Sequence, residues 1–143
     1  TYDSTNKEYY QTNARDYIQQ LDILDSKIRS DLFSCKHNFI AFHDAFSYFA
    51  EEYDLIQHTI ISSNDPHGEA TAKTLESTIS IARELNIQII FSEESVNTKT
   101  SDIIANEING QVLVLSPLEV ASDGTYISKM TENLENLKEA LCQ

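Results

Sequence analysis

Apolar residues near the start of the chain recur at spacings of three and four, which is the period of one face of an α-helix. The opposite face carries Lys, Asp, Gln and Arg, as a solvated surface should. No Pro or Gly lies between Thr1 and Asn64, so nothing in the composition breaks this helix before a turn at 33–38. The pattern predicts one long leading helix, whose apolar stripe comprises Tyr10, Ala14, Tyr17, Leu21, Leu24 and Ile28.

Beyond this helix, short apolar runs alternate with helical segments. Such runs are typical of strands that are buried on both faces of a parallel sheet. We therefore expect an α/β fold, a three-layer α/β/α sandwich with a four-stranded parallel sheet, preceded by the long helix. The predicted strands are 38–42, 55–61, 87–91 and 111–115, and the predicted helices are 45–53, 70–85, 99–109 and a last one through 127–141.

Length, composition and charge narrow the class of protein. A chain of 143 residues suits one compact domain, and 41% hydrophobic residues with 23% charged residues argue against disorder. The net charge of −13 and the lack of a Lys and Arg cluster disfavour nucleic acid as a partner. No apolar run approaches the roughly 20 residues of a membrane-spanning helix. Because the chain opens on Thr1 and carries no signal peptide, we expect a fragment or a processed form.

Two cysteines, Cys35 and Cys142, lie far apart and belong to no zinc-finger or CxxC spacing. One disulfide between them would indicate an oxidising compartment. Two separate buried thiols are the alternative, and composition does not choose between them.

Candidate chemistry lies where the strands end, because ligands of an open parallel sheet bind beyond the carboxyl ends of its strands. His43 follows the first predicted strand and Glu93 follows the third. Imidazole nitrogen and carboxylate oxygen suit zinc or manganese, although two groups are too few for a closed zinc site. The alternative for His43 is a hydrogen-bonded loop residue. Asp44 is better explained as the cap of a helix that starts at Ala45.

The other histidines are weaker candidates. His37 precedes the first strand and should lie at the opposite end of the sheet. His58 falls inside the second strand and should pack against a covering helix. His67 belongs to an exposed loop at 62–68, whose Asn, Asp, Pro and Gly favour turns.

Motifs of nucleophilic or nucleotide chemistry are missing from the sequence. There is no GxSxG elbow, and the three glycines at 68, 110 and 124 are too far apart to form a phosphate-binding loop. These patterns favour a binding protein over an enzyme.

The segment Phe39 to Ala50 (FIAFHDAFSYFA) resembles the "F-H-D-A-(F/Y)-x-Y-F-A" segment of the solute-binding proteins of zinc- and manganese-uptake ABC transporters. The opening helix resembles the long rigid helix that joins the two lobes in that family. Residues 90–93 (IFSE) and 115–118 (LSPL) resemble its "I-F-x-E" and "L-D-P-L". The resemblance covers essentially the whole chain in order and spacing.

This resemblance implies that residues 1–32 form the inter-lobe connecting helix and residues 33–143 the C-terminal α/β lobe. It implies that metal binds in the cleft between the lobes, with His43 as a ligand beside histidines of an N-terminal lobe. Glu93 would orient a ligand or serve as an auxiliary one. Zn²⁺ is the expected ion and Mn²⁺ the alternative.

The same resemblance implies a location outside the cytoplasm, periplasmic or membrane-anchored at the cell surface, with a membrane permease as partner. An adhesin-like surface protein without a transport role is the alternative. One departure concerns Ser116 and Pro117, which stand where the family places Asp. It implies a three-His site completed by water or another carboxylate, to which this lobe adds little else.

Overall fold

The computed structural model describes residues 3–61, 70–94, 97–119 and 123–143. Helices and strands alternate along the chain in the predicted order. The predicted bounds after the leading helix differ from the observed ones by at most two residues, because the ends of elements fray into turns. The elements are α1 Lys7–Leu32, β1 Asn38–Ala41, α2 Ser47–Glu52, β2 Ile56–Thr59, α3 Ala72–Glu84, β3 Ile89–Ser92, α4 Lys99–Glu107, β4 Gln111–Val114 and α5 Tyr126–Leu141.

The four strands form one parallel sheet in the order β2-β1-β3-β4. The central strands β1 and β3 are in register with Ala41 opposite Phe91. The predicted four-stranded parallel sheet is therefore confirmed, and the carboxyl ends of its two central strands lie side by side.

Helices cover both faces of the sheet. Successive side chains of a strand point to opposite faces, so each central strand contributes to two cores. Phe39 and Ala41 belong to a core shared with α1, α2 and α5. Ile40 and Phe42 belong to a second core, beneath α3 and α4. This division confirms the predicted three-layer sandwich.

The leading helix α1 is packed at only one end. Leu24, Ile28 and Leu32 are buried in the first core, whereas Tyr10 and Tyr17 are 52% and 46% exposed. The predicted apolar stripe is thus only partly buried, because the other described elements pack against the C-terminal part of α1 and leave its N-terminal part exposed. Within those residues, no helix combines the length and apolar character needed to cross a membrane.

A disulfide at the amino end of the sheet joins Cys35 to Cys142. Cys35 lies between α1 and β1, and Cys142 is the C-cap of α5. The backbone N–H of Lys36 also donates to the carbonyl of Leu141 at 2.9 Å. Of the two alternatives left open for the cysteines, the structure has the disulfide and not two separate thiols.

Candidate metal site

The two predicted site residues meet at the carboxyl edge of the sheet. His43 follows β1 and Glu93 follows β3, and the parallel pairing of these strands brings the side chains together. Nδ1 of His43 lies 2.5 Å from Oε1 of Glu93. The His43 side chain is 11% exposed and that of Glu93 is 2% exposed, so the pair is almost wholly withdrawn from solvent.

The contact uses only one of the two ring nitrogens of His43. Nδ1 of His43 and Oε1 of Glu93 are buried, and neither atom bonds to any other group among the described residues. Nε2 is therefore the ring atom that can bind a metal. Metal-binding histidines usually present their second nitrogen to a carboxylate or carbonyl group, which fixes the tautomer and the ring orientation. Glu93 is placed to orient His43 in this way.

Burial is the largest influence on Glu93, and it raises the pKa of this carboxyl above its usual range. The neighbouring His43 acts in the opposite direction, through its charge and its hydrogen bonds. The negative charge of Glu119 raises the pKa of Glu93 further. A cation bound at this edge would offset the cost of holding buried negative charge.

Glu119 was missed by the sequence-based reasoning. It lies in the loop after β4, is exposed, and is close enough for its charge to act on Glu93. In this loop the family pattern points to Ser116 and Pro117 and not to Glu119. A carboxylate a few residues beyond the end of a central or edge strand is the signal that could have found it.

Ser116, the departure from the family pattern, is built into the loop. Its backbone N–H donates to Oδ1 of Asn133 at 2.8 Å, and Nδ2 of Asn133 donates back to its carbonyl at 2.8 Å. The Ser116 hydroxyl donates to Oε2 of Glu94 at 2.9 Å. Ser116 therefore anchors the loop after β4 to α5 and to the end of β3.

Asp44 does not cap a helix at Ala45. Helix α2 begins at Ser47, its N-cap is Phe46, and no side chain caps it. The expectation was wrong because the residues after His43 form a separate turn before the helix starts, with the N–H of Ala45 donating to the carbonyl of His43 at 3.0 Å.

The remaining histidines lie away from this pair. Nδ1 of His37 is 2.5 Å from the carbonyl oxygen of Asp54, at the amino end of the sheet as predicted. Nε2 of His58 lies 2.9 Å from Oδ1 of Asn38 on the neighbouring strand, so its polar partner comes from the sheet. His67 and the loop 62–68 fall outside the described residues.

The metal-binding groups of this edge do not form a complete site by themselves. Across 3–61, 70–94, 97–119 and 123–143, no three His, Cys, Asp or Glu side chains come together as a group that could hold a metal ion. What this part of the chain offers is one oriented imidazole with a carboxylate behind it and a second carboxylate nearby.

Known proteins resemble this chain over most of its length. The high-affinity zinc uptake system protein ZnuA of Bacillus subtilis (strain 168) is 37% identical over 97% of this chain and 46% of its own length. The zinc-binding lipoprotein AdcA of Streptococcus pneumoniae serotype 4 is 31% identical over 96% of this chain and 28% of its own length. The chain therefore spans half or less of these relatives.

A solved structure shows the same fold. The laminin-binding protein Lmb of Streptococcus agalactiae, described as bifunctional with adhesin and metal-transporting activity, superimposes with a TM-score of 0.87. It is 30% identical, over 96% of this chain and 55% of that one. The family model for the periplasmic zinc-uptake complex component A matches residues 1–140. The chain belongs to this ZnuA family of zinc-uptake components.

Proposed function

We propose that the protein is the zinc-binding, extracytoplasmic solute-binding component of an ABC transporter and that it is not an enzyme. The observation that carries this proposal is the buried His43–Glu93 pair, which leaves Nε2 of His43 to bind a metal at the carboxyl edge of the sheet. Membership of the ZnuA family supports zinc as the transported ion.

In this proposal His43 ligates the metal through Nε2, and Glu93 orients the ring or serves as an auxiliary ligand. Glu119 adds a carboxylate at the same edge. The remaining ligands come from an N-terminal lobe across the cleft. The incomplete donor set of the described residues supports a site shared between two lobes. Imidazole suits Zn²⁺ well, and Mn²⁺ is the alternative ion.

The division into residues 1–32 as a connecting helix and 33–143 as the C-terminal lobe is part of the same proposal. The C-terminal end of α1 packs into the first core, while its N-terminal half keeps Tyr9, Tyr10, Tyr17 and Ile18 exposed. An N-terminal lobe that covers these side chains would account for an apolar surface that the described residues leave open.

The proposed location is outside the cytoplasm, periplasmic or anchored at the cell surface, where a membrane permease would accept the metal. The disulfide between Cys35 and Cys142 supports it, because disulfides persist in oxidising compartments. The pneumococcal relative is named a lipoprotein. An adhesin without a transport role finds no support, since the relatives are named for zinc uptake or zinc binding and Lmb is described as having both activities.

The test is a zinc titration of the full-length protein in competition with a chelator. His43→Ala should weaken zinc binding by more than the ~10–100-fold typical of losing a residue that only orients a ligand. His37→Ala is the matched control, because His37 is half exposed at the opposite end of the sheet and should leave the affinity unchanged.

Residues 1–143 alone should bind zinc weakly, because they carry only part of the site. A nanomolar one-to-one site in this isolated chain that survives His43→Ala would contradict the ligand assignment. Equal affinities for the full-length wild type and its His43→Ala variant would contradict the proposed function itself.

A further inference from the structure

The side chain of Gln57, on the edge strand β2, bonds to both ends of the turn that carries His43. Its Nε2 donates to the carbonyl oxygen of His43 at 2.7 Å. Its Oε1 accepts from the backbone N–H of Phe46 at 3.2 Å. We propose that Gln57 is a positioning residue for the metal site, which holds the turn 43–46 so that His43 presents Nε2 to zinc. This inference rests on the function proposed above.

Among the described residues, the last backbone bonds between β1 and the β2 segment run from Ile60 to the carbonyl of Ala41 at 3.1 Å and from Ile61 to that of Phe42 at 2.9 Å, and none of them involves residues 43–46. Gln57 lies level with Phe39 in the β1–β2 pairing, so its side chain is on the face of the sheet that α2 covers. The turn 43–46 lies back over this face, where the amide of Gln57 bonds to both of its ends.

Gln57 also satisfies a donor that helix α2 leaves open. The first N–H groups of a helix have no partner within the helix, and side chains usually supply one. At α2 no capping side chain does so, and the N–H of the N-cap residue, Phe46, is bonded by Gln57 instead. The same amide therefore fixes the start of the helix and the carbonyl of His43.

His43 is thus held at two points, its ring by Glu93 and its main chain by Gln57. A ligand must be kept within about 0.5 Å of its productive position for a metal site to retain its affinity. A carboxamide is suited to this position because it donates and accepts at once. An ionised Glu accepts from Phe46 but cannot donate to the carbonyl of His43, and Met does neither.

The experiment compares the full-length wild type with Gln57→Met, Gln57→Glu and a matched control, Gln111→Met. Gln111 opens β4 and donates from Nε2 to Oε1 of Glu139 at 2.9 Å, so it is also a strand glutamine with a side-chain bond, but one that does not involve His43. Zinc affinity by chelator competition and the thermal midpoint of the metal-free protein are measured for each.

Gln57→Met should weaken zinc binding about 10–100-fold, the usual loss when a residue that supports a ligand is removed. Gln57→Glu should also weaken it, because its carboxylate faces the carbonyl of His43. Gln111→Met should leave the affinity unchanged. The ¹⁵N resonances of the His43 ring report the positioning directly: the metal-free wild type should show one tautomer protonated at Nδ1, and Gln57→Met a mixture.

A lower thermal midpoint of Gln57→Met with unchanged zinc affinity would overturn the inference, because it would mean a purely structural role. If Gln57→Met does not fold, Gln57→Glu decides by the same criterion, since it keeps the length of the side chain and the bond from Phe46. Failure of this inference is distinct from failure of the proposed function: in the first case His43→Ala still weakens zinc binding, and in the second it does not.

Discussion

The two ends of the sheet are built in opposite ways. At the amino end, a disulfide joins Cys35 to Cys142, and Asp31 forms partly exposed ion pairs with Lys27 and Lys138. At the carboxyl end, His43 and Glu93 are buried against each other, and the two facing atoms bond to no other group among the described residues. Burying charge costs free energy unless it is well paired. We therefore expect the amino end to stabilise the fold, and the carboxyl end to bind metal at some cost in stability. Stability and metal binding should therefore be separable by mutation.

The largest effect on stability should come from the amino end. Replacing both disulfide cysteines, Cys35→Ala with Cys142→Ala, should lower the free energy of unfolding by about 4 kcal/mol, because the bridge closes a very long loop in the unfolded chain. Urea denaturation of the wild type and the double variant measures this difference. Zinc affinity of the folded double variant should be unchanged, and a loss of affinity there would contradict the separation of the two ends.

The pH dependence of stability should come from the carboxyl end. Since burial raises the pKa of Glu93, the metal-free folded state holds this proton more tightly than the unfolded chain does. The stabilisation is complete below the pKa of the unfolded state and is lost as the pH rises through the raised pKa. Glu93→Gln has no such titration, so the wild type should lose thermal stability relative to this variant as the pH increases.

Thermal midpoints of the two proteins from about pH 4 to pH 8, in the presence of a chelator, give the comparison. Saturating zinc should then raise the thermal midpoint of the wild type more than that of Glu93→Gln, because a ligand that binds only the folded state stabilises it by an amount that grows with the logarithm of its affinity. If the thermal midpoints of the two metal-free proteins changed in parallel with pH, ionisation of the buried Glu93 would not lower stability, which would contradict this prediction.

The smallest effect should come from the partly exposed charges at the amino end. Lys138 pairs with Asp31 at 3.1 Å and with Glu135 at 3.2 Å, and all three side chains keep part of their surface in solvent. Lys138→Met should change the urea midpoint far less than removal of the disulfide does, and added salt should remove even that difference. A loss comparable to that of the disulfide would mean that the ion pairs, and not the covalent bridge, hold this end together.

The sequence predicted the architecture because the central strands β1 and β3 bury both of their faces. Phe39 and Ile40 face opposite cores, so their strand is a continuous apolar run. Such a run is recognisable in the sequence whichever helices cover it. The meeting of His43 and Glu93 was also predictable, since the carboxyl ends of neighbouring parallel strands share one edge.

Features that depend on the path of the chain between elements were harder to predict. The position of Glu119 a few residues beyond β4 is visible in the sequence, but the effect of its charge on Glu93 is not, because it depends on a loop in which Leu118 adopts a φ of 64°, a conformation that tertiary context imposes on a non-glycine residue. The role of Gln57 depends on the turn 43–46 lying back over its side chain, and no hydrophobic periodicity predicts the path of that turn. The misplaced cap at Asp44 has the same origin, because Gln57 bonds the N–H of Phe46 and the helix starts later.

The most direct test of the account is an anomalous-difference crystal structure of the zinc-loaded full-length protein at the zinc absorption edge. The account predicts a zinc peak at Nε2 of His43, at the usual Zn–N distance of about 2.0–2.1 Å, with Glu93 still against Nδ1. The other ligands should come from residues of the full-length protein outside 1–143 and from carboxylates at the same edge of the sheet. A zinc ion bound elsewhere, with Nε2 of His43 left in contact only with solvent or protein, would contradict the account.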